Sequence, residues 1–199
     1  MNDVVIIDNG GGNVASVRYA LERLGVEAAV SIEAARVQAA SHVILPGVGA
    51  ADDAMERLRA TQLATLIPTL RQPVLGICLG MQLLFDASAE GDATCLGIVP
   101  GRAERFAPSP GLTVPHMGWN QLVPTVSSPL LDGIAGGDYV YFVHSYALPP
   151  GPHTIATCTY AQPFTAVVSR GNFHGAQFHP ERSAGPGARL LANFLSLGR

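Results

Sequence analysis

Two kinds of hydrophobic pattern divide the chain. In the first half, short apolar runs alternate with stretches whose apolar residues recur at helical spacing. Asp3 to Asp8 reads DVVIID, an apolar run closed by NGGGN. The next stretch sets Val14, Val17, Leu21 and Leu24 on one helical stripe and stops at Gly25. VEAAVS then reads as a strand, and SHVILPGVG as another, broken at Pro46. A helix-like stretch runs from about Asp52 to Leu70, and QPVLGI supplies the next strand. Such alternation predicts an α/β domain with a largely parallel central sheet flanked by helices.

The second half reads differently. From Cys95 to Val168 it consists of short β-rich runs separated by Pro and Gly, among them GIVPGRAERF, LTVPHMGWNQLV, YVYFVHSYAL, HTIATCTY and FTAVVS. Hairpins, or a small antiparallel layer beside the main sheet, are expected there. GPGARLLANFLSLG returns to helix. No internal repeat, low-complexity run or long linker interrupts the pattern, so residues 1–199 are expected to form one domain.

Composition then removes several classes of function. Only 14% of residues are charged and the net charge is −3, which argues against a nucleic-acid surface. All 12 basic residues are arginine. A P-loop lysine, Schiff-base chemistry and a lysine general base are therefore excluded. No apolar window approaches the length needed to span a bilayer, and MNDVVIIDNG lacks the features of a signal peptide. The three cysteines, Cys78, Cys95 and Cys158, include no close pair, and the six histidines do not cluster with them. The expectation is a reduced, cytoplasmic protein without a disulfide framework or metal site.

One stretch asks for chemistry. VLGICLGMQLLF, Val74 to Phe85, sets Cys78 between Gly76 and Gly80, after an apolar run and before a helix-like one. A free cysteine is often only a small packing hydrophobe. G-x-C-x-G nevertheless follows the logic of a nucleophile elbow, where a strained strand-to-helix turn pushes the nucleophile out of the sheet. Glycines are needed on both sides because the crossing leaves no room for a Cβ. The following helix favours thiolate through its dipole, and the Leu79 amide points where an oxyanion would form. Packing needs none of these features.

A thiolate of this kind wants a base, and the base an orienting partner. In GAQFHPERS, His179 and Glu181 stand two apart, so an extended backbone sends both side chains from one face. Pro180 biases His179 towards that conformation. His42, His153 and His174 read as ordinary strand or surface residues. In LPGVGA the amide of Val48 or Gly49 could supply a second oxyanion donor, although an ordinary strand-ending turn has the same composition.

Taken together, Pro46 to Gly49, Gly76 to Gln82 and Gln177 to Glu181 resemble the class I (triad) glutamine amidotransferases. DNGGGN from Asp8, PGRAERF from Pro100, PHMGWN from Pro115 and YFVHSY from Tyr141 are similar to the glutaminase subunits of imidazole glycerol phosphate synthases. The likeness runs from end to end and implies a flavodoxin-like class I amidotransferase fold. It implies that Cys78 attacks the side-chain amide of glutamine, with His179 as base and then acid, and Glu181 as its orienter. Val48 and Leu79 would supply the oxyanion donors. Gly47, Gly49, Gln82, His144, Ser145 and Tyr146 match positions around the substrate. Asn13, Met117, Trp119 and Arg182 are assigned to an interface with a cyclase subunit, which would be a (β/α)8 barrel that receives the ammonia in a heterodimer. No nucleotide, metal, flavin or other cofactor is implied on this chain. Two departures stand out: Asn9 where the family usually has tyrosine, and Arg182 where lysine usually follows the triad glutamate.

The main rival reading lies at the N-terminus. Gly10, Gly12 and Ala15 satisfy G-x-G-x-x-A between a strand and a helix, with Glu33 near a ribose position. An oxidoreductase of this kind would leave Cys78, His179 and Glu181 without a role. Another triad amidotransferase subunit or a γ-glutamyl hydrolase would lack PHMGWN, and a non-catalytic module would be expected to have lost a triad residue.

Overall fold

Every residue of Val4–Ile7 is buried, as a continuous apolar run must be when a strand is covered on both faces. This strand, β1, begins a computed structural model that describes residues 3–10, 13–107 and 111–198. It is followed by α1 (Val14–Glu22), β2 (Ala28–Ser31), α2 (Ala34–Ala39), β3 (His42–Gly47), α3 (Ala51–Ala60), α4 (Leu63–Leu66), β4 (Val74–Cys78) and α5 (Leu79–Leu83). Then come β5 (Phe85–Ser88), β6 (Ala93–Thr94), β7 (Val99–Arg105), β8 (His116–Gln121), β9 (Val123–Pro124), β10 (Tyr139–His144) and β11 (Tyr146–Ala147). Last are β12 (Thr154–Tyr160), β13 (Gln162–Arg170), β14 (Phe173–Ala176) and α6 (Ala184–Ser196).

The main sheet has eight strands in the order β2-β1-β3-β4-β14-β13-β12-β9. Its first five strands are parallel, and the last three are antiparallel additions. Successive side chains leave opposite faces of a strand, so β1 feeds two cores. Val4 and Ile6 pack with Val17 and Leu21 of α1 and with Leu190, Leu191 and Phe194 of α6. Val5 and Ile7 pack with Met55 and Leu58 of α3 and with Leu63. Helices therefore cover both faces of the sheet. Two smaller sheets, β10-β8 and β11-β7-β5-β6, complete the structure. Among the described residues no helix is long and apolar enough to cross a membrane.

The structure corrects two expectations. β3 is not broken at Pro46, which pairs with Ile77. His42 donates towards β1 and Val43 towards the β4 side, so the alternation aims the Pro46 nitrogen at β1. Pairing with β1 ends at Ile6 and Ile44, and the missing N–H costs no ladder bond there. The helix expected from Asp52 to Leu70 is interrupted. Thr61 bonds back through Oγ1 to Arg57 O at 3.0 Å, and Gln62 takes φ 61° before α4. In the second half both expected arrangements occur: β12 and β13 form a hairpin that extends the main sheet, and β8 and β10 form a small antiparallel layer of their own.

This register sets the stage for the site. Gly47 at the end of β3 pairs with Cys78 at the end of β4, and Ala176 of β14 pairs with Ile77. The carboxyl ends of three adjacent parallel strands thus carry the PGVG turn, the cysteine and the approach to His179. In open α/β sheets ligands bind at such ends.

Candidate active site

Cys78 has φ 54° and ψ −111°, a conformation costing about 1–3 kcal/mol for a residue with a side chain. The flanking glycines make it reachable. A Cβ on Gly76 would lie 2.5 Å from the Gly80 carbonyl oxygen, and one on Gly80 only 1.8 Å from the Leu45 oxygen. The elbow expected from G-x-C-x-G is therefore present. The helix behind it is short: α5 has five residues, so its dipole is weaker than that of a full-length helix.

Cys78 opens into a cavity of about 460 Å³ shared by Val48, Gly49, Leu79, Gln82, His144, Ser145, Tyr146 and His179. These include all but one of the positions matched to substrate or oxyanion. The exception is Gly47, which lies under the turn with its α-carbon face against Leu79 and the Gly80 nitrogen. Its part is to let β3 approach the elbow closely.

His179 Nδ1 lies 2.8 Å from Glu181 Oε1. The contact was expected, but its geometry was not. Pro180–Arg182 form a tight helical turn, so the carboxylate curls back under the ring instead of projecting from an extended face. The Glu181 side chain is fully buried. His179 Nε2 is buried without a hydrogen-bond partner. Burial works against a charged ring, but the Cys78 sulfur and the Glu181 carboxylate outweigh it and raise the His179 pKa to about 10. The imidazolium is thus the favoured form at neutral pH, an arrangement suited to an ion pair with a Cys78 thiolate.

Asn13 is assigned by sequence to an interface; the structure sets its side chain against the triad. Its Nδ2 donates to Glu181 Oε1 at 2.7 Å and lies 3.2 Å from His179 Nδ1. With the ring nitrogen also donating to Glu181, both protons converge on one oxygen. An asparagine at a helix N-cap ordinarily accepts a backbone N–H of the first turn. Asn13 makes no such bond. Asn13, at the start of α1, therefore supports the triad, a role the dinucleotide fingerprint does not predict. Gly12 of that fingerprint lies outside the described residues.

Met117 and Trp119 are 61% and 52% exposed. Trp119 pairs across the β8–β10 hairpin with Tyr141, and the Arg182 guanidinium sits 5.0 Å over the Tyr141 ring. The remaining departure, Asn9, is buried and donates to Ala54 O at 3.2 Å. Arg57 bonds its carbonyl, so Asn9 is held to α3 at both ends of the residue.

Glu90 was not picked out by sequence reasoning, and no motif marks it. It lines the cavity from the tight turn after β5. Burial raises its pKa, the Ala51 backbone N–H opposes that, and Asp52 adds to it. His144 and His116 are also buried, and burial holds them neutral, with pKa values of about 3 and 4.

Comparison with known proteins agrees with this geometry. The sequence profile described as "Glutamine amidotransferase class-I" matches residues 5–197. The chain is 56% identical to "Imidazole glycerol phosphate synthase subunit HisH" of Xanthomonas axonopodis pv. citri, over 99% of this chain and 98% of that one. It is 53% identical to the protein of the same description in Xylella fastidiosa, with the same coverage. Among solved structures, one described as a glutamine amidotransferase matches with TM-score 0.74 and 20% identity over 96% of each chain. The PurLQS structure from Thermotoga maritima matches with TM-score 0.73 and 18% identity over 98% of each chain; both are likenesses of fold. With the elbow cysteine, the His–Glu pair and these relatives in agreement, the chain belongs to the class I glutamine amidotransferase family, in the group of imidazole glycerol phosphate synthase HisH subunits.

Proposed function

We propose that this chain hydrolyses glutamine to glutamate and ammonia through a thioester on Cys78, and passes the ammonia to a cyclase subunit that forms imidazole glycerol phosphate in histidine biosynthesis. One observation carries the reading: a cysteine held at φ 54° opens into the same cavity as His179, whose ring is tied to Glu181 at 2.8 Å.

The chemistry follows from the charges. The Cys78 thiolate adds to the side-chain carbonyl carbon of glutamine, and negative charge moves to the oxygen. The amides of Val48 and Leu79 serve as donors for that oxyanion. His179 delivers its proton to the amide nitrogen, the C–N bond breaks and ammonia leaves. Neutral His179 then takes a proton from water, whose oxygen attacks the thioester. The S–C bond breaks, glutamate departs and the thiolate–imidazolium pair is restored. Glu181 and Asn13 hold the ring in the orientation both steps require. Glu90, a carboxylate at the cavity wall, binds the α-ammonium of the substrate.

The exposed Met117 and Trp119, with Tyr141 and Arg182 beside them, form the surface on which the cyclase docks in a heterodimer. A cytoplasmic, reducing location suits three free cysteines. The test is glutamate release from glutamine by the chain alone, then with the cyclase and its nucleotide ligand. A rise on adding both, absent in Cys78→Ala, is expected. Full activity without a partner would overturn the place of this chain in a two-protein enzyme; no hydrolysis in either case would overturn the enzyme.

A further inference from the structure

Gln177 is completely buried, and none of the reaction steps above uses it. Its amide is one link in a chain of hydrogen bonds whose amide and imidazole orientations can be assigned. At the end of the chain Cys78 Sγ also lies 3.7 Å from the Val143 carbonyl oxygen, to which the thiol form donates. The assignment starts at the Tyr146 carbonyl, which can only accept. The Gln82 amide atom 3.0 Å from that oxygen must be Nε2. The same Nε2 lies 3.0 Å from the Gln177 amide, so the atom it meets there must be the acceptor, Oε1. Gln177 is left with Nε2 turned towards Cys78 Sγ, 3.8 Å away.

The other side of the Tyr146 carbonyl is pinned just as firmly. His144 Nδ1 donates to it at 2.8 Å, which makes His144 Nε2 an acceptor for His116 Nδ1 at 3.0 Å. His116 Nε2 then accepts from Asn120 Nδ2 at 3.3 Å. Asn120 is fixed independently, because Nδ2 also donates to Thr159 O and Oδ1 accepts from the Gln121 backbone N–H. Assignments made from the two ends agree.

We propose that Gln177 is a catalytic residue of glutamine hydrolysis: its Nε2–H donates to the Cys78 sulfur, and Gln82 imposes that orientation from the Tyr146 carbonyl. Register explains how it gets there, since Ala176 pairs with Ile77 and sets Gln177 beside Cys78. An N–H donor is strongest towards a charged acceptor. The bond therefore favours thiolate before attack, weakens while the S–C bond of the thioester exists, and re-forms as that bond breaks on hydrolysis. It makes the sulfur both ready to attack and willing to leave. The inference rests on Cys78 being the nucleophile of the proposed reaction.

The experiment measures iodoacetamide alkylation of Cys78 from pH 4 to 10 in the full chain, read on the Cys78 peptide by mass spectrometry. Gln177→Met removes the donor at similar volume. Gln82→Glu keeps Gln177 but, in its ionised form, offers only acceptors there, so Gln177 turns Nε2 to the carboxylate and leaves Oε1 against the sulfur. Both variants should move the alkylation profile up by about one pH unit, a roughly tenfold deficit on its acid limb, the scale of one charge-assisted hydrogen bond. The deficit should shrink at pH 10, whereas lost access would slow the reaction at every pH. Gln177→Met should also lower kcat for glutamine while KM stays within about twofold. If Gln177→Met fails to fold, Gln82→Glu decides. An alkylation profile unshifted from the parent's in either folded variant overturns the proposal. A parent chain that hydrolyses no glutamine, yet loses alkylation in both variants, would sink the functional reading and leave the donor standing.

Discussion

A β-carbon on Gly80 would sit 1.8 Å from the carbonyl oxygen of Leu45. That distance leaves nothing flexible to yield, because the obstacle is the backbone of β3. Cys78 can occupy its strained turn only while β3 and α5 touch at this point. Gly80→Ala should therefore cost about 3 kcal/mol or more and lower Tm by about 6–12 °C in a chain of this size. Thermal denaturation checks it, and an unchanged Tm would mean the elbow is not held by that contact.

The paired donors on Glu181 Oε1 make a graded prediction. Glu181→Gln keeps the volume but removes the charge that orients His179, and kcat should fall roughly 10³–10⁴-fold, as when a triad carboxylate is neutralised. Asn13→Ala removes one of two donors to the same oxygen, and kcat should fall about tenfold. Steady-state kinetics of the activated enzyme separate the two. Equal losses would mean that Asn13 does more than support the carboxylate.

Stability should depend on pH with opposite signs at the two extremes. His179 holds its proton to about pH 10 when folded, against an ordinary value of 6.5. Its contribution is full below pH 6.5 and is lost as pH rises towards and through 10. His144 is the reverse, with a pKa of about 3 when folded. Its contribution is present above 6.5 and is lost as pH falls, the loss amounting to about 2 kcal/mol at pH 5. His116, lowered to about 4, acts in the same direction. Tm measured from pH 4 to 10 should fall at both ends. His179→Gln should flatten only the alkaline side.

Glu90 lines the cavity without belonging to the triad. If it holds the substrate's ammonium, Glu90→Gln should raise KM for glutamine about tenfold or more while kcat changes little, because the contact is equal in ground and transition states. A fall in kcat at unchanged KM would move Glu90 from binding into the chemistry.

Much of the site was legible because its features are local. Gly76, Cys78 and Gly80 are spaced by the geometry of one turn, and the apolar runs of β1, β3 and β4 announce a covered parallel sheet. Even there, a local rule misled at Pro46. Whether a proline breaks a strand depends on which neighbour its nitrogen faces, and that is a property of the sheet. His179 and Glu181 were paired correctly for a reason the backbone does not follow, since a tight turn brings them together.

The residues that sequence reasoning placed elsewhere or passed over share a different feature. Asn13 reaches Glu181 across 168 positions, and Gln177 reaches Gln82 across 95. Nothing in the spacing of an asparagine after glycines, or of a glutamine before Phe178, records such partners. By itself the sequence determined the elements and the triad types, because hydrophobic periodicity, turn residues and short motifs act over a few residues. Only the tertiary structure decided which polar groups share a proton, because hydrogen-bond partners are set by strand register and by the close approach of chains far apart in sequence.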